Sequence, residues 1–123
     1  MESNLYGRAV NPYNTELSPG GSSGGEAALI ALRGSLLGIG TDIGGSVRVP
    51  AAWCGIYALK PSIARTPASG IQTWFHEGMD YILTVIGPMA RSLDDLELYC
   101  KVGGLAPQRG VLRTAVIDTN TNY

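Results

Sequence analysis

Gly20-Gly21-Ser22-Ser23-Gly24-Gly25-Glu26 and, after an intervening apolar run, Gly40-Thr41-Asp42-Ile43-Gly44-Gly45-Ser46-Val47-Arg48-Val49-Pro50 form the stretch on which the reading of this 123-residue chain turns. Two glycine-flanked serine sites, Ser22/Ser23 and Ser46, stand either side of residues 27–32, which are all apolar. Glycines at the first site let the backbone take positive φ and approach another segment closely. The chain should then enter a helix, because Ser23 to Glu26 has the S-x-x-E spacing of a capping box. At the second site, Gly44 and Gly45 leave the backbone N–H groups beside Ser46 unhindered. A serine next to bare amides is the make-up of an acyl-transfer site.

Working outward, residues 26–33 read as a helix with no polar face, which predicts burial on every side, with Gly34 as its stop. Residues 36–40 read as a short buried strand, and Asp42 to Ser46 as a tight turn into a second short helix that Pro50 interrupts. Toward the N-terminus, residues 1–17 are polar, with Asn11-Pro12 and Asn14 as turn formers, and read as a surface loop. Toward the C-terminus, residues 56–59 read as a strand closed by Pro61. Residues 81–86 read as a β-branched strand with Gly87-Pro88 as a breaker behind it. Ser92 and Asp95 have capping spacing for a helix whose core stripe is Leu93, Leu96 and Cys100, and residues 111–118 read as a last strand. Strands alternating with helices argue for an α/β fold. No linker composition divides the chain.

The two glycine–serine motifs, with Asn11-Pro12, Cys54-Gly55, Leu59-Lys60-Pro61-Ser62 and Gly87-Pro88-Met89-Ala90-Arg91-Ser92, closely resemble the amidase signature family, most of all its acetamidase-type branch. The resemblance covers about residues 6–101. It implies an α/β/α sandwich around a large mixed β-sheet, of which residues 1–123 would be a partial domain, the central slice. It also implies hydrolysis of a carboxamide by a Ser–cisSer–Lys triad. Ser46 falls on the attacking serine. Ser22 falls on the bridging serine, which in the family is held by a cis peptide to the next residue. Ile43, Gly44, Gly45 and Ser46 fall on the oxyanion-hole amides. Ser23, Thr41, Asp42 and Arg48 are expected to support the site, Asp42 and Arg48, which flank the loop, as an ion pair that fixes its shape. The 24-residue separation of Ser22 and Ser46 is also the family's.

The family's lysine lies upstream of the glycine–serine run, where this chain has none. Its two lysines, Lys60 and Lys101, match structural or exposed positions. The expectation is therefore a truncated form, inactive alone. The alternative is a non-catalytic remnant or interaction subunit that keeps the fold, and an amidotransferase-like subunit fits the residues around Asn11 less well. His76 is the sole histidine, and no surrounding motif makes it a base.

Composition narrows the remaining classes. A net charge of −1 implies neither nucleic acid nor an anionic membrane as partner. Two cysteines, Cys54 and Cys100, are too few for a disulfide framework, so a reduced, cytoplasmic protein is expected. One histidine and two distant cysteines make no metal site. Gly20–Gly25 is followed by no Gly-Lys-Ser/Thr, and Gly38-Ile39-Gly40 lacks the third glycine of a dinucleotide loop. No cofactor is expected, and the only small-molecule partner implied is an amide. An apolar helix and interior-type strands also predict self-association, or a partner that completes the sheet.

Overall fold

The structure, a computed structural model, describes residues 2–67 and 83–103. The elements run β1 (Glu2–Ser3), β2 (Gly7–Arg8), α1 (Gly24–Ala31), β3 (Leu37–Asp42), α2 (Arg48–Trp53), β4 (Tyr57–Ala58), β5 (Val85–Ala90) and α3 (Leu93–Val102). The fold is α/β, as expected. The strand expected at 111–118, His76 and the first part of the 81–86 strand lie outside the described residues. β1 and β2 form a small exposed hairpin within the expected N-terminal loop. The main sheet has the order β3-β5-β4, and both of its pairings are antiparallel.

The register sets Gly38 opposite Met89, Gly40 opposite Gly87 and Asp42 opposite Val85, so these six share one face of the sheet. The core lies on that face. Ala27 and Ile30 of α1, Val47, and Ala51 of α2 pack with Met89 and Ile56, all buried.

Three local expectations are corrected. The apolar run of α1 does not bury every side: Ala27 and Ile30 have no exposure, whereas Leu29 is 47% and Leu32 66% exposed among the described residues. Pro50 does not interrupt α2. It is the third residue of that helix, where a backbone N–H has no intrahelical acceptor to lose, and Cys54 N–H still donates to the Pro50 carbonyl at 2.9 Å.

Gly87-Pro88 does not end β5 but lies inside it, with Pro88 opposite Ile39. A strand residue's N–H and C=O point to the same side. The Pro88 carbonyl accepts from Leu59 N–H at 3.0 Å, so the nitrogen that lacks a hydrogen also faces away from β3. The long β3–β5 ladder loses nothing, and the β4 pairing has only the two partner pairs Tyr57–Ala90 and Ala58–Met89.

Helix α3 keeps its expected cap. Ser92 Oγ accepts from Asp95 N–H at 3.2 Å and donates to the Asp95 carboxylate at 2.6 Å. Of its expected stripe only Leu96 is buried, while Cys100 is half-buried and Leu93 48% exposed.

Candidate active site

The loop between β3 and α2 is built around Asp42. This side chain has no solvent exposure, yet it carries a carboxylate. Its Oδ1 accepts from Gly45 N–H at 2.9 Å, and its Oδ2 from Val47 N–H at 3.1 Å and Arg48 N–H at 3.4 Å. Arg48 adds a two-pronged contact, Nε to Oδ2 and Nη2 to Oδ1, both at 3.0 Å. Burial alone would raise the Asp42 pKa; the Arg48 guanidinium and the three amides outweigh it and hold the carboxyl at about 2. The carboxylate is therefore charged at neutral pH and acts as the post around which residues 43–48 are wound. Gly45 sits in that turn at φ 123°, a conformation other residues rarely adopt. Ile43 and Gly44 are exposed and Ser46 is half-buried. The Gly45 amide is already donated to Asp42.

The other serine loop meets this one directly. Ser23 N–H donates to the Ser46 carbonyl at 3.1 Å, and Ser23 Oγ accepts from Thr41 N–H at 3.3 Å. The expected capping box is thus absent: Ser23 stands at the head of α1 with no side-chain cap bond, because both its groups are engaged across the fold. This close approach needs Gly40, since a Cβ there would come within 2.5 Å of Ser23 Oγ. A cis peptide bond is present, but it joins Gly21 to Ser22, one bond earlier than expected. Ser22 itself is exposed.

Ser22, Ser23, Thr41 and Glu26 line a cavity of about 410 Å³ together with Ile39 and Ile86. The S-x-x-E spacing assigns Glu26 to a capping box and gives no sign that its carboxylate lies over Gly38 at this cavity. Nor does turn-forming chemistry alone predict the burial of Asn11. Neither lysine is among the cavity-lining residues. Lys60 donates to the Pro61 carbonyl at 3.4 Å, and Lys101 pairs with Glu97 at 2.7 Å on the exposed end of α3. Both thiols are free; burial pushes those of Cys54 and Cys100 up, so neither is a ready nucleophile at neutral pH. Among the described residues no cluster of His, Cys, Asp or Glu could hold a metal ion, and no helix is long and apolar enough to cross a membrane.

Two glycine–serine loops clasped over one face of an α/β sheet define the type of site. The chain belongs to the amidase signature family: the family's sequence model, described as Amidase, matches residues 1–104. An acetamidase of Aspergillus oryzae is 53% identical over 96 residues, which is 78% of this chain and 17% of that protein. A putative amidase of Schizosaccharomyces pombe is 52% identical over 99 residues, covering 80% of this chain and 18% of its own length. Among solved structures, a fatty acid amide hydrolase superposes with a TM-score of 0.73 at 42% identity, over 84% of this chain and 19% of that one. The chain thus spans less than a fifth of the length of these relatives.

Proposed function

We infer that these residues form the nucleophile side of an amide-hydrolysing site. The observation that supports this most is the 3.1 Å bond from Ser23 N–H to the Ser46 carbonyl, which ties the two serine loops together. Ser46 Oγ attacks the carboxamide carbon while its proton passes to Ser22 Oγ, whose own proton goes to a base. The amides of Ile43, Gly44 and Ser46 receive the developing oxyanion, with Gly45 N–H held by Asp42 to shape the turn. The amide nitrogen takes a proton as the C–N bond breaks, leaving acyl-Ser46. Water then releases the acid and restores the serine. The base is a lysine from outside the cavity-lining residues, as the family resemblance implies.

A second reading, a fold segment without the chemistry, is favoured by the positions of Lys60 and Lys101 away from the cavity. One experiment separates the two: a chimaera in which this segment replaces the matching one of the Aspergillus oryzae acetamidase. On the catalytic reading the chimaera hydrolyses simple carboxamides, and Ser46→Ala lowers turnover by more than about 10³-fold. An inert, folded chimaera, or one indifferent to Ser46→Ala, overturns it. The 123-residue chain by itself should show no Ser46-dependent hydrolysis.

A further inference from the structure

Residues 11–20 hold no helix or strand, yet they lead directly into Ser22. Three contacts seat them, and all three end on α2 or the residue that follows it. Asn11, only 6% exposed, donates from Nδ2 to the Trp53 carbonyl at 2.8 Å, while its Oδ1 accepts from Tyr13 N–H at 2.9 Å. The Cys54 thiol, with no exposure, donates to the Pro19 carbonyl at 3.4 Å. Gly20 lies so close to Pro50 that a Cβ on it would stand 2.8 Å from the Pro50 Cα. The opposite, N-terminal end of α2 belongs to the other loop, because Val47 and Arg48 donate their amides to Asp42. The six-residue helix is therefore a spacer with one serine loop on each end.

We propose that Asn11 and Cys54 are positioning residues for the serine pair: by seating residues 11–20 on the C-terminal end of α2, they fix where Ser22 stands relative to Ser46. Gly20 and Gly21 give this approach the widest backbone freedom, so a tie just upstream removes conformations that bond formation at Ser23 alone would have to exclude. The proposal rests on the reading that Ser22 and Ser46 act together, but its test needs no catalysis.

The reporter is amide hydrogen exchange, read by NMR on the 123-residue chain. Ser23 N–H, bonded to the Ser46 carbonyl, reports the clasp, and Leu59 N–H, bonded to the Pro88 carbonyl, reports the sheet. Asn11→Ala should speed exchange at Ser23 about tenfold or more relative to Leu59, the mark of local rather than global opening. Cys54→Ala should do the same, and Cys54→Ser, which keeps a donor toward Pro19, should restore protection. Equal acceleration at both amides means that these side chains only stabilise the whole domain, and overturns the proposal. No change at Ser23 overturns it as well. Where Asn11→Ala does not fold, the Cys54 alanine–serine contrast decides alone. A positive result stands even if Ser46 proves not to be a nucleophile, so the two readings fail separately.

Discussion

A buried carboxylate is costly unless its charge is answered, and Asp42 is answered five times over, by three amides and two guanidinium nitrogens. Its pKa falls from an ordinary 3.8 to about 2. A carboxyl whose pKa is depressed on folding contributes its stability in full above the unfolded value, and loses it as pH falls through the folded one. Between about pH 5 and pH 2 this group alone should remove about 2 kcal/mol of unfolding free energy. Denaturant melts across that range should show Asp42→Asn with a correspondingly flatter pH dependence than the parent. Arg48→Ala is expected to cost less than Asp42→Ala, about 1–2 kcal/mol, because the arginine side chain is 43% exposed and three amides remain on the carboxylate. Equal losses for the two variants, read from the same melts, would contradict this picture. The pairing of Asp42 with Arg48 was legible from the sequence, six positions apart across a glycine turn. The engagement of the Gly45 amide was not, since a backbone donor leaves no trace in residue identity.

Elements with the same signature behave differently once their surroundings differ. Ser23…Glu26 and Ser92…Asp95 share a capping spacing, but only the second pair forms it. Ser92 Oγ makes both of its bonds with Asp95, and the local rule holds. Around Ser23, the Thr41 amide and the Ser46 carbonyl offer long-range partners, and the local rule gives way. Ser92→Ala should therefore lower stability by about 1 kcal/mol through the lost cap. Ser23→Ala should leave the helicity of α1 unchanged while freeing the Thr41 amide. Circular dichroism with exchange at Thr41 checks both, and a fall in α1 helicity would mean that Ser23 caps after all. The same lesson covers Gly87-Pro88. As a dipeptide it reads as a breaker, and only the direction of the Pro88 carbonyl, a property of the assembled sheet, makes it admissible in β5.

Among the described residues several large apolar side chains stand exposed: Leu29 of α1, Leu32 just after it, Leu36 at 74% exposure, and Ile39 of β3 at 56%. Among the described residues β3 is also an end strand of the main sheet, and such edges pair with other chains unless blocked. Sedimentation of the chain at micromolar concentration should show association, reduced by Ile39→Lys; a monomer unaffected by concentration would mean that these side chains and the β3 edge are inert in water. The α/β class was readable from periodicity and motif, whereas which side of α1 would be covered was not, because an all-apolar helix names no preferred face. Pro88 carries a consequence for how this chain can change in length. If β5 slipped by a single position, the hydrogen-less nitrogen of Pro88 would turn toward β3 in mid-ladder, and Val85, Gly87 and Met89 would swing to the other face of the sheet. One-residue insertions or deletions within β3 or β5 therefore have no alternative pairing to settle into, while the exposed β1–β2 hairpin can lengthen or shorten freely, so differences in length among related chains should collect there and leave the six-residue strands untouched.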